Sequence, residues 1–104
     1  MSPLFLEIKN EALGQEYDLE LVFLSPEEIQ KINKQYRDKD KATNILSFPL
    51  SENSGQIFIC KEIAKKEGFD LTELFIHGVI HLKGMDHGSR MESEEQKIRM
   101  KFGI

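Results

Sequence analysis

The sequence predicts an α+β domain: a small mixed four-stranded sheet packed with helices, one of them buried and carrying a strip of histidines. Three observations predict it. Short apolar stretches with two-residue alternation mark strands, and Ser or Asp followed three residues later by Glu marks helix starts. Residues 71–82 are apolar around most of a helical circumference, as a buried helix requires. With 104 residues, 39% hydrophobic and 31% charged, there is room for one core, so one domain is expected over residues 1–104.

Pro3–Ile8 (PLFLEI) and Tyr17–Leu24 (YDLELVFL) read as strands, and Gly14 between them suggests an antiparallel hairpin. Ser25 opens a helix, with Pro26 at its first position and Glu28 completing a capping box. Ile29, Ile32 and Tyr36 supply its buried stripe. Thr43–Leu50 (TNILSFPL) is a third strand, where Pro49 marks an edge or a bend. Gly55–Cys60 (GQIFIC) is a fourth, followed by a short helix from about Lys61 to Glu67 and a break at Gly68. Asp70 and Glu73 form the capping box of the apolar helix. Ser89 and Glu92 look like another, opening a last helix that turns Met91, Ile98 and Phe102 inward.

Fourteen Lys plus Arg against eighteen Asp plus Glu give a net charge of −4, which argues against holding nucleic acid by bulk charge. A local basic face is still open. A single cysteine, Cys60, rules out an intrachain disulfide, and it reads as a small buried hydrophobe. No charged-then-apolar leader and no membrane-spanning stretch is seen, so the expected compartment is the cytoplasm.

The apolar helix has one polar strip. At 3.6 residues per turn Asp70, Glu73, His77, His81 and Gly84 stack within less than about a third of its circumference. His77 and His81, four apart, project from one face, and Gly84 is placed to stop the helix so that His87 returns to the same point. The spacing H-x-x-x-H-x-x-G-x-x-H is that of one class of zinc peptidases. Three imidazoles without a nearby cysteine suit one Zn²⁺ with an open fourth position, the catalytic rather than the structural pattern. The peptidase motif has its general-base glutamate directly after the first histidine, whereas this chain has Gly78, which disfavours that chemistry. Gly78 either leaves room beside the metal for a bulky substrate group or lets the helix pack closely on the sheet.

Lys31, Lys34, Arg37, Lys39 and Lys41 put five positive charges into eleven residues. Taken alone they read first as a solvated helix face and loop, and second as a phosphate-contacting patch in which Arg37 grips bidentately. Ser47 points away from Leu46, Phe48 and Leu50, either toward a substrate or simply as a satisfied strand residue. Asp86 either orients a ligand histidine or makes a turn.

HGVIHLKGMDH, with INKQYRDKDKATNILSFPL upstream and GQIFIC between them, resembles the YbeY family of bacterial metal-dependent endoribonucleases of ribosomal RNA maturation. The resemblance implies that His77, His81 and His87 are zinc ligands and that Arg37 is an essential active-site residue facing the metal across a positively charged cleft. With it Lys39 and Lys41 become candidate substrate contacts, while Ser47 and Asp86 stay the candidates, for substrate contact and for support of a ligand histidine, that the residues alone make them. It also implies single-stranded RNA as substrate, maturation of the 3′ end of small-subunit ribosomal RNA, ribosome quality control and a small-subunit partner. The chain departs from the family pattern twice. Gln56 stands where the family has an acidic residue, and Lys9–Glu16 is too short for the helix that family members carry between their first two strands.

The reading is a zinc-dependent endoribonuclease. Its rivals are a metal hydrolase of another ester or amide, and a ribosome-binding assembly factor whose metal is structural.

Overall fold

Ser2 and Pro3 start a helix, not a strand. In the computed structural model, which describes residues 1–84 and 89–104 (backbone alone at Ser89), the Ser2 hydroxyl accepts the Phe5 N–H at 3.2 Å. Pro3 takes the first helical position, and helix α1 runs over Pro3–Leu13. The expected strand over Pro3–Ile8 is thereby overturned, and among the described residues the sheet has three strands rather than four. Burial explains the change. Ile8 and Ala12, four apart, are buried together, and Phe5 stacks on Phe75 with ring centroids 4.2 Å apart. Lys9–Leu13, part of the segment read as too short for the family's helix between strands, is the C-terminal part of α1.

The strands are β1 (Asp18–Phe23), β2 (Ile45–Ser51) and β3 (Ser54–Ile59), in the order β1-β3-β2. β1 runs parallel to β3, so the expected hairpin with Pro3–Ile8 is replaced by a long-range pairing, while β2 runs antiparallel to β3. The register shifts between Pro49 and Ser51, where proline withholds a ladder donor. Glu20 lies opposite Gln56, whose side-chain amide donates to the Glu20 carboxylate at 2.7 Å. An acidic residue at 56 would set two carboxylates against each other there. Gln56 is thus a matched departure from the family pattern.

Alternation along the strands builds two apolar layers. Ile57 and Ile59 face α4 (Leu71–Leu82), against whose back α1 and α5 (Ser89–Phe102) pack through Ile8, Phe75, Met91 and Ile98. Leu46 and Cys60 form the other layer with Ile29 of α2 (Pro26–Arg37), with Phe48 and Phe58 partly buried against it. The capping box of α2 is present: Ser25 Oγ accepts the Glu28 N–H at 3.2 Å, and Glu28 Oε1 accepts the Ser25 N–H at 3.0 Å. That backbone N–H holds the Glu28 carboxyl below its ordinary range. Tyr36, expected in the buried stripe, is 65% exposed and meets Phe48 only edge-on.

The short helix α3 (Lys61–Lys66) ends before Gly68, whose φ of +76° makes the turn into α4. Asp70 is the N-cap of α4 but makes no side-chain cap bond. Its expected partner Glu73 pairs instead with Arg99 of α5 at 3.4 Å. The expected capping of α5 falls on Ser89, whose side chain lies outside the described residues.

Two glycines seat α4 on the sheet. A Cβ at Gly78 would lie 3.0 Å from Ile45 Cδ1, 3.0 Å from Ile57 Cδ1 and 3.2 Å from Ser47 Oγ. Gly55 of β3 is covered in the same way by Leu82 and by the Tyr17 hydroxyl, whose pKa burial pushes upward. Of the two readings of Gly78, close packing is the one realised. Nor is there room at 78 for the glutamate of the peptidase motif. Gly78→Ala is expected to cost up to about 2 kcal/mol net, since overpacking costs about 1–3 and the gain in helix propensity is about 1. Urea unfolding checks this, and a midpoint above that of the parent contradicts it.

Candidate metal centre

Half of the twelve residues of α4 are buried, and His77 and His81 stand on the remaining, partly exposed strip. Their i, i+4 spacing brings the two Nε2 atoms to 3.2 Å, with ring planes 80° apart. Two imidazole nitrogens bound tetrahedrally at roughly 2.0–2.1 Å from one ion would be about 3.3–3.4 Å apart. The pair therefore already has the separation that a shared ion needs. A carboxylate supports one member: His77 Nδ1 lies 2.8 Å from Glu95 Oε1 of α5. A proton held at Nδ1 by that carboxylate leaves Nε2 with the lone pair a metal requires.

Among the described residues no group of three potential ligands assembles. His87 and Asp86 lie outside the described residues, so the described part of the candidate ligand set is His77 and His81, followed by the Gly84 turn. That glycine has φ +94° and donates its N–H to the His81 carbonyl at 2.9 Å, stopping the helix beside the pair.

Arg37 faces the pair across a cleft of about 500 Å³ that it lines with Thr43, Asn44, Ser47, His77 and His81. It ends α2, where Asp38 takes a left-handed conformation at φ +56° and turns the chain away. Arg37 Nη2 donates to the Ser47 carbonyl at 3.0 Å, and the guanidinium sits 5.3 Å from the Phe48 ring centroid. Among the described residues it makes no ion pair, whereas neighbouring Lys34 is 3.7 Å from Asp40. Buried Asn33 pins the following loop by donating to the Lys41 carbonyl at 2.9 Å. Lys39 and Lys41 are exposed on that loop and do not line the cleft. Ser47 does line it, on the strand face toward α4.

The sequence model of the family described as Endoribonuclease YbeY matches residues 4–102. The chain belongs to the endoribonuclease YbeY family. The YbeY of Colwellia psychrerythraea is 40% identical, over 88% of this chain and 72% of that protein. For Nautilia profundicola the figures are 39%, 84% and 73%, and for Agrobacterium fabrum 39%, 77% and 58%. Against some curated YbeY relatives the chain therefore spans under two thirds of their length. The solution structure of TM1509 from Thermotoga maritima superposes with a TM-score of 0.63 at 28% identity, over 96% of this chain and 77% of that one.

Glu95 and Asn33 are not among the residues to which the sequence points. Glu95 had a signal. It falls four after Met91 and three before Ile98, a carboxylate inside the stripe that packs inward. Glu95→Gln is expected to weaken zinc binding about 10- to 100-fold while the helix stays formed. Competition with a chelating dye measures it, and an unchanged affinity would remove Glu95 from the site.

Proposed function

We propose that this chain is a metal-dependent endoribonuclease that cuts single-stranded RNA, working as one YbeY-like domain over residues 1–104. One Zn²⁺ is held by His77, His81 and His87, with a fourth position open. The observation that carries the reading is the pair of Nε2 atoms 3.2 Å apart facing an arginine across one cleft. When bound, the ion supplies Lewis acidity, polarising a phosphoryl oxygen and making water acidic enough to attack near neutral pH.

The chain's own groups do the rest. Glu95 keeps the His77 proton at Nδ1 and fixes the plane of its ring. Arg37, held by the Ser47 carbonyl and the Phe48 face, offers its remaining N–H groups to the scissile phosphate and to the charge that grows on it in the transition state. Ser47 borders the phosphate path, and exposed Lys39 and Lys41 attract the RNA strand from outside it. With −4 overall, binding is steered locally by this edge rather than by total charge.

The biological setting proposed is the cytoplasm: 3′ maturation of small-subunit ribosomal RNA and ribosome quality control, with the small subunit as partner. No helix among the described residues is long and apolar enough to cross a membrane.

Among the described residues, the core around Ile8, Ile57, Phe75 and Ile80 does not include His77 or His81, which favours a catalytic over a structural metal. Chelation is accordingly expected to abolish RNA cleavage and leave the far-UV circular dichroism unchanged, with Zn²⁺ restoring activity. Collapse of the spectrum on chelation would instead support the assembly-factor reading.

A further inference from the structure

A second cleft, of about 360 Å³, opens on the other side of His77 and shares His77, Asn44 and Ile45 with the one that holds Arg37. Its chemistry differs. The floor is apolar, from Ile45 and Leu74, and the charged groups at its rim are two carboxylates, Glu73 and Glu95, against one guanidinium, Arg99. A phosphate is disfavoured there and favoured beside Arg37. At the mouth stands Phe69, 48% exposed and part of neither apolar layer.

The Phe69 backbone is held firmly. The Gly68 turn precedes it, and its N–H donates to the Ala64 carbonyl at 2.9 Å. Beside it, Asn44 donates its amide to Glu67 Oε1 at 3.0 Å, which positions the rest of that side chain at the junction of the clefts. An apolar slot, an exposed aromatic face and polar groups at the rim match a flat ring with a polar edge.

We propose that this cleft is a subsite for one unpaired nucleobase next to the scissile phosphate, with the Phe69 ring as its stacking platform. The proposal rests on the RNA reading above and deepens it: phosphate lies on the Arg37 side of His77, base on the Phe69 side. A base can enter only when it is free of its partner and neighbours, so the subsite selects single strands.

The test uses a short single-stranded oligoribonucleotide carrying one 2-aminopurine, mixed with the zinc-loaded protein and read in the first seconds, before turnover. Binding is expected to quench the fluorophore. Phe69→Ala is expected to remove the quench and raise Kd about 5- to 100-fold, with KM following and kcat little changed. Phe69→Trp restores both. Phe69→Leu, apolar but without a π face, behaves as alanine. An oligomer lacking the base at that position is cut equally by parent and Phe69→Ala.

The proposal is overturned if Phe69→Ala or Phe69→Leu binds and quenches like the parent, or if the loss is as large on the abasic oligomer. Cleavage by a parent that shows no quench would also sink the subsite while leaving the nuclease standing. A parent that binds and quenches through Phe69 but never cuts would uphold the subsite and remove the nuclease reading.

Discussion

His81→Ala is expected to give a folded protein that neither retains zinc through gel filtration nor cleaves single-stranded RNA above background. The folded state should survive because the His81 side chain belongs to neither apolar layer, and alanine is the best helix former. The metal should not survive, because a catalytic site of three ligands has none to spare. Without the ion there would be no Lewis acid to lower the pKa of water and make it a nucleophile near neutral pH. Zinc content by atomic spectroscopy, far-UV circular dichroism and gel-resolved RNA cleavage are read on the same preparation. Full metal content together with full cleavage would show that His81 is not a ligand.

Arg37→Ala is expected to act on the other wall of the cleft. It should lower kcat for RNA by about 10²–10³-fold, the usual cost of losing one donor aimed at developing charge. Zinc content should be unchanged. The residue is exposed at the end of α2 and contributes one hydrogen bond to the Ser47 carbonyl, so stability should hardly move. Arg37→Lys should not restore the rate, because an ammonium cannot reproduce the fork that also packs on Phe48. The charge reversal Arg37→Glu separates the reaction classes. A hydrolase of peptides or of neutral esters would keep its activity, whereas a nuclease would lose it. Wild-type cleavage of RNA that persists undiminished in Arg37→Glu would contradict the role given to this residue.

What the sequence made legible was local. The capping box at Ser25, the break at Gly68, the pairing of His77 with His81 and the stop at Gly84 each depend on residues within a turn or two of one another. The strand expected over Pro3–Ile8 failed because six apolar-rich residues do not distinguish strand from helix. The deciding signal was present in Ser2-Pro3, the same start as Ser25-Pro26, followed by Phe5, Ile8 and Ala12 at helical spacing. With that segment a helix, β1 has to find its partner across the chain, which no local pattern reveals.

The site divides in the same way. Spacing alone brings two histidines to one helix face, but the meeting of Arg37 with them depends on α2, β2 and α4 packing together, and it was anticipated from family resemblance rather than from the residues. Gly78 shows the limit plainly. A glycine inside a helix announces that something comes close, and only the packing reveals that Ile45, Ile57 and Ser47 do. The place of Glu95 on the inward stripe is legible, but its partner His77 is not, since it lies 18 residues away on another helix.

The most direct test of the central claim, that one metal and Arg37 share one cleft, is the position of zinc in crystals of the loaded protein, located by its anomalous scattering. The account predicts one ion at roughly 2.0–2.1 Å from His77 Nε2 and His81 Nε2, on the side of the pair that faces Arg37. An ion bound elsewhere, or one bound to these histidines but turned away from Arg37, would contradict it.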